Sequence, residues 1–123
     1  MTTIKSYTDI PQSKKLTEFL PIESADMEYL AIKETGKLIA GVPFVKDDSE
    51  VEDSAYSHIY DRISCWSLAA LLGVLPNENM LVKTTDGEYY CLAKDVMTKH
   101  YDNPVDACYE MVLKLHKLNL LLL

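Results

Sequence analysis

Arginine is almost absent from this chain of 123 residues, in which Arg62 is the single example. Lysine and arginine together number 12, against 19 aspartates and glutamates, and the formal net charge is −7. Binding to nucleic acid through its phosphates needs clustered lysine and arginine side chains. The charge balance therefore predicts no direct binding to nucleic acid.

Long hydrophobic runs are also missing. The longest nearly apolar stretch, residues 65–75, has 11 residues, whereas a helix that crosses a bilayer needs about 20. Residues 1–5 show no apolar segment of the kind that signal peptides carry. We therefore expect no membrane association and a cytoplasmic location.

Motifs that hold cofactors are not found. The four glycines form no Gly-x-Gly pattern, which the common phosphate-binding loops require. The cysteines and histidines form neither a Cys-x-x-Cys nor a His-x-x-x-His pair, the spacings typical of zinc sites. The sequence therefore predicts neither a cofactor nor a metal.

The composition that remains is that of a globular protein, with 48% hydrophobic and 25% charged residues. A chain of this length buries roughly two-thirds of its surface on folding. We therefore expect residues 1–123 to form a single domain.

The first half of the chain predicts a helix and then a hairpin. Asp9 and Gln12 have the spacing of a capping box, and Pro21 cannot continue a helix. Residues 28–42 are rich in β-prone side chains on both sides of Gly36, which favours a β-hairpin with its turn at Thr35-Gly36.

A second helix is predicted over residues 64–75. Ser64 is the expected N-cap, and apolar side chains, Trp66 among them, follow around the whole helix circumference. A helix that is apolar on all sides is surrounded by protein, so this segment is expected to be the central core helix.

The last part of the chain predicts another hairpin and another helix. Met80–Lys83 and Tyr89–Ala93 flank Asp86-Gly87, a strong turn signal. Asn103 is suited to cap a helix that has Pro104 at its first position. The predicted fold is α+β, with two β-hairpins forming a small antiparallel sheet packed against three helices in the order α-ββ-α-ββ-α.

Residues 46–57 are expected to form an acidic surface loop, because five of the seven residues at 47–53 are acidic. One hypothesis follows from this charge. The chain could act as a nucleic-acid mimic that blocks the basic site of a DNA-binding protein.

A catalytic thiol is a second hypothesis. Cys65 follows the expected cap Ser64, and a helix N-terminus lowers the pKa of a thiol. His58 lies seven residues upstream and could act as the base. The more common role of such a cysteine is that of a small buried hydrophobe, and we expect all three cysteines to be reduced.

Tyrosine and leucine point to interaction with protein. The chain has eight tyrosines, a residue type favoured at interfaces. Tyr89 and Tyr90 are adjacent in a strand and must face opposite sides. The chain closes with Leu120, Leu121, Leu122 and Leu123, which must be packed somewhere. Tyr89, Tyr90 and the four leucines are therefore the candidate interface residues.

Three stretches carry a resemblance to a known group. The first stretch extends from residues 12–16 to residues 25–27. The second extends from residues 65–72 to residues 75–76, and the third comprises residues 101–111. Together they resemble a family of short open reading frames from prophages and mobile elements of gut bacteria. The resemblance implies a phage or mobile-element context and brings no reaction or catalytic residue with it.

The sequence favours an interaction module over an enzyme, because enzyme sites depend on clustered polar groups and no such cluster is evident. An unidentified protein is the expected partner, and a second copy of the chain is one candidate. The thiol enzyme and the acidic mimic stay open as alternatives.

Overall fold

Residues 5–46 and 59–121 are described by the computed structural model, and they fall into two units. The first unit is Asp9–Trp66, and the second combines Met1–Thr8 with Ser67–Leu123. Helices and antiparallel strands are both present. The predicted α+β class is therefore confirmed.

The first unit begins with helix α1 (Ile10–Thr17). The predicted capping box is present, since the Asp9 carboxylate accepts from the Gln12 amide at 2.9 Å and the Gln12 side chain accepts from the Asp9 amide at 3.1 Å. The helix ends before Pro21, and a short 3₁₀ turn, Ile22–Ser24, follows.

The sheet of the first unit has the order β2-β1-β3. Its strands are β1 (Met27–Ile32), β2 (Phe44–Val45) and β3 (Tyr60–Cys65), and both pairings are antiparallel. The turn at Gly36 is confirmed, with φ +71° there and a hydrogen bond of 2.9 Å from the Ile32 amide to the Lys37 carbonyl. The return segment of that hairpin forms a bridge between Ala31 and Leu38 and then pairs with β1 again as β2, which lies beyond the predicted bound of residue 42.

The second helix does not begin where the sequence predicts. Ser64 and Cys65 belong to β3, and the N-cap is Ser67, whose hydroxyl accepts from the Ala70 amide at 3.2 Å. The reason is tertiary, because pairing with β1 holds residues 60–65 in an extended conformation. Trp66 is fully buried, but it lies outside the helix and donates from Nε1 to the Ser24 hydroxyl at 3.0 Å.

Helix α2 (Leu68–Val74) opens the long segment of the second unit. Leu71 and Val74 are buried, whereas Ala69 and Gly73 are exposed. The expectation of a helix buried on all sides is therefore wrong. The small side chains occupy the solvent side, and the larger ones face helix α3 (Pro104–Lys117).

The sheet of the second unit has the order β4-β5-β6. Its strands are β4 (Met80–Lys83), β5 (Tyr89–Ala93) and β6 (Val96–Met97). The predicted hairpin of β4 and β5 is confirmed with the expected bounds. The two hairpins do not join into one sheet, because β3 takes the place beside β1 where such a strand would pair.

Helix α3 covers one side of this sheet. Its predicted start is confirmed, since the Asn103 side-chain oxygen accepts from the Asp106 amide at 2.8 Å and Pro104 is the first helical residue. Lys5 binds the Asp106 carboxylate at 2.9 Å and ties the start of the second unit to this helix. The buried stripe of α3 comprises Val105, Ala107, Cys108, Met111, Val112 and Leu115.

Candidate interaction surface

The register of the second sheet places five uncharged side chains on one face. Met80 lies opposite Leu92, and Leu92 lies opposite Met97 on its other side. Val82 lies opposite Tyr90, two residues further along both strands. Residues that are directly opposite in antiparallel strands share a face, as do residues two apart in one strand. We call Met80, Val82, Tyr90, Leu92 and Met97 the outer sheet face.

The other side of the sheet is the one that packs on α3. Cys91 and Ala93 alternate with the outer residues along β5, and both are buried. Because α3 contacts β5, the buried side chains on this side of the sheet form the core together with α3. The outer sheet face is therefore additional apolar surface that α3 does not cover.

Exposure confirms that the outer sheet face is open. Met80 and Met97 are each 57% exposed, and Val82, Tyr90 and Leu92 are half-buried. Scattered exposed apolar residues are ordinary, but a contiguous group of them marks a contact surface. Methionine is flexible and polarisable, so it adapts to a partner of varied shape.

His100 and Glu88 lie beside Tyr90 at one end of the outer sheet face. The His100 imidazole stacks on the Tyr90 ring, with centroids 4.9 Å apart and planes at 15°. His100 Nδ1 lies 3.6 Å from a carboxylate oxygen of Glu88. The Tyr90 ring is therefore supported from one side, which fixes its orientation.

Tyr89 lies on the opposite side of β5 from Tyr90, as the alternation of a strand requires. Its backbone exchanges hydrogen bonds of 2.7 and 2.8 Å with Tyr101, and Lys83 Nζ lies 5.8 Å from its ring centroid. Of the two predicted tyrosines, Tyr90 is the one that the structure places on the outer sheet face.

The leucine tail is partly anchored. Asn119 has φ +58°, and the Leu120 amide donates to the Leu115 carbonyl at 2.8 Å. The Asn119 amide donates to the His116 carbonyl at 3.1 Å, which completes a Schellman motif. Leu120 and Leu121 are half-buried, and Leu122 and Leu123 lie outside the described residues.

The thiol-enzyme hypothesis loses its geometric basis. Cys65 is fully buried at the end of β3 opposite Met27, and the cap of the following helix is Ser67. Cys65 therefore does not lie at the N-terminus of the helix, where the thiol-enzyme hypothesis requires it. His58 lies outside the described residues, as does the acidic segment at 47–53, so the mimic hypothesis stays a prediction.

The described residues contain neither a group of metal ligands nor a membrane-spanning helix. Within residues 5–46 and 59–121, no three histidine, cysteine or acidic side chains gather as metal ligands would. None of the helices described there has both the length and the apolar character that crossing a bilayer demands.

Comparison of the chain with protein-family models, with curated proteins and with solved structures finds no match. The phage or mobile-element context therefore stays a prediction from the three sequence stretches.

Proposed function

We propose that this chain is a non-enzymatic protein-interaction module that pairs with a second copy of itself through the outer sheet face. The observation that carries the proposal is the register Met80–Leu92–Met97, which sets three apolar side chains in a row across the sheet. Two of them are more than half exposed. Such a row is stable in water when a partner surface covers it.

The absence of charge on the outer sheet face supports a second copy as the partner. Two copies that each carry a net charge of −7 repel one another, so they meet most favourably where neither carries charge. The five residues of the outer sheet face are uncharged. An apolar face is also complementary to itself, as a twofold interface requires.

The proposal also includes the cellular location and the origin of the protein. Cys65, Cys91 and Cys108 carry thiols rather than disulfides, which supports a cytoplasmic location. The resemblance of three sequence stretches supports a phage or mobile-element origin. We further propose that residues 1–123 act as one α+β domain in this role.

Sedimentation equilibrium over a range of concentrations tests the proposal. We expect the wild-type chain to dimerise. The double variant Met80→Lys/Met97→Lys brings like charges together in the interface, and like-charge juxtaposition costs several kcal/mol, so dimerisation should weaken by about 100-fold or more.

Leu118→Lys is the matched control. Leu118 is 55% exposed in the same unit but lies at the end of α3, so this variant should dimerise like the wild type. Circular dichroism checks that all variants fold. A wild-type chain that stays monomeric, or a double variant that dimerises as tightly as the control, would overturn the proposal.

A further inference from the structure

Met80 and Met97 are the exposed methionines in the part of the chain that the structure describes. Each is 57% exposed, whereas Met27 is half-buried and Met111 is fully buried. Both belong to the outer sheet face, and both lie opposite Leu92, Met80 on β4 and Met97 on β6. The two thioether side chains therefore flank the central leucine of this face.

These two methionines lie within one contact surface. Neighbouring strands are about 4.8 Å apart, so the backbones of Met80 and Met97 lie about 10 Å apart across β5. A partner that covers Leu92 therefore covers both methionines as well. A change of either methionine side chain alters the same contact.

Sulfur makes these two positions chemically different from the rest of the outer sheet face. The aliphatic side chains beside them do not react with peroxides, whereas a methionine thioether gains an oxygen atom and becomes a sulfoxide. The thiols of the chain do not compete for the oxidant, because all three cysteines are fully buried. An oxidant in solution therefore reaches the sulfur atoms of Met80 and Met97 before the thiols.

We infer that Met80 and Met97 form an oxidation site, at which a small hydroperoxide converts both thioethers into sulfoxides and thereby releases self-pairing. The inference rests on the proposed function, because the modification acts on the contact surface of the pair. Self-pairing covers both methionines, so the separate chain is the form that reacts. Oxidation therefore removes chains that can pair and shifts the equilibrium toward chains that cannot.

The chemistry is the same at both methionines, and hydrogen peroxide is the simplest oxidant for it. A lone pair of the thioether sulfur attacks one peroxide oxygen, a sulfur–oxygen bond forms, the O–O bond breaks, and hydroxide leaves. The hydroxide then removes the proton from the new S–OH group, which gives the sulfoxide and one water. Each thioether is oxidised by two electrons while one peroxide is reduced.

The product differs from methionine in polarity at the centre of the contact. A sulfoxide is a polar hydrogen-bond acceptor, and the aliphatic side chains of Val82 and Leu92 beside it have no donor to offer. Burial of a polar group without a hydrogen-bond partner is unfavourable. Each copy would bring two such groups into the pair, so the dissociation constant should rise by at least about 10-fold.

The test treats a dilute solution of the folded full-length chain with hydrogen peroxide and maps the peptides. We expect Met80 and Met97 to gain one oxygen each before Met111 does, because Met111 is fully buried. Sedimentation equilibrium then compares treated and untreated chains, and circular dichroism checks that the treated chain is folded. Methionine sulfoxide reductases should remove the added oxygen atoms and restore self-pairing.

Met80→Leu/Met97→Leu is the matched control. Leucine keeps the volume and the apolar character of methionine but has no sulfur to oxidise. This variant should therefore pair like the wild type both before and after treatment with peroxide. If the treated variant loses self-pairing as the wild type does, oxidation acts elsewhere in the chain and the inference is wrong.

The outcomes separate this inference from the proposed function. An untreated wild-type chain that stays monomeric overturns both. A wild-type chain that pairs before treatment, and pairs as tightly once Met80 and Met97 are fully oxidised, overturns the regulation by oxidation and leaves self-pairing intact. Oxidation of Met111 in the folded chain as fast as that of Met80 and Met97 contradicts the assignment of the site.

Discussion

The imidazole of His100 lies on the phenol ring of Tyr90, with the ring centroids 4.9 Å apart. This stack holds Tyr90 in one orientation at the end of the outer sheet face. A side chain that is already ordered loses less entropy when a partner binds. In the proposed dimer, the stack therefore lowers the entropy cost of the contact at Tyr90.

Removal of the stack should weaken self-pairing. Ordering one side chain on binding costs about 0.5–1.5 kcal/mol, so His100→Ala, which leaves Tyr90 to be ordered by the partner, should raise the dimer dissociation constant by about 2- to 12-fold. His100→Phe retains a stacking ring and should restore the affinity. Equal dissociation constants for wild type and His100→Ala, measured by sedimentation, would show that the stack has no such role.

The ion pair of the first sheet should contribute to stability. Glu28 is buried on β1, and Arg62 of β3 reaches its carboxylate at 3.1 Å. Arg62→Leu removes this partner and should lower the free energy of unfolding by about 1 kcal/mol, a modest value because half of the arginine side chain is exposed. Urea denaturation measures the change.

The double variant Glu28→Gln/Arg62→Leu tests the mechanism, because it removes the buried charge together with its partner and should recover part of the loss. Lys33→Leu replaces an exposed cation of the same unit and should change stability little. An Arg62→Leu variant as stable as Lys33→Leu would contradict this account of the pair.

The positive φ of Asn119 makes the end of α3 sensitive to substitution. Asparagine tolerates the left-handed region better than alanine because its side chain can hydrogen-bond locally, so Asn119→Ala should lower the free energy of unfolding by about 1 kcal/mol. Asn119→Gly adopts this conformation freely and should be at least as stable as the wild type. Thermal unfolding measures both. Equal melting temperatures for the alanine and glycine variants would show that the Schellman motif is not required.

The burial of Cys65 should protect it from alkylation. Iodoacetamide at neutral pH should modify Cys65 only after denaturant is added, because the folded chain leaves its side chain no exposed surface. A cysteine introduced by Ala69→Cys, on the exposed side of α2, is the reactive control. Alkylation of native Cys65 as fast as that control would revive the thiol-enzyme hypothesis.

Local signals predict much of the second unit. Asp86-Gly87 and the alternation on both sides of it indicate β4 and β5, and Asn103-Pro104 indicates the start of α3. These signals succeed because hairpin turns and helix caps are local hydrogen-bond arrangements within four or five residues. Tyr90 as an interface candidate follows from the same alternation.

The first unit is less predictable because its sheet depends on distant pairing. Met27 pairs with Cys65, 38 positions later, and nothing local indicates which strand β1 selects. That pairing also determines that Ser67, and not Ser64, caps α2. Met80 and Met97 can be assigned to the outer sheet face only when the strand register and the position of α3 are known. The sequence alone shows that Met80 and Val82 are two residues apart and so share a face of a strand, but not which face is exposed.

The methyl groups of the methionines offer the most direct test of the outer sheet face. We propose a dilution series of the wild-type chain labelled with ¹³C at the methionine methyls. The signals of Met80 and Met97 should shift with concentration, and that of Met111, which is fully buried on α3, should not. Met80 and Met97 signals that stay constant across the series, or that shift no more than Met111, would contradict self-pairing through this face.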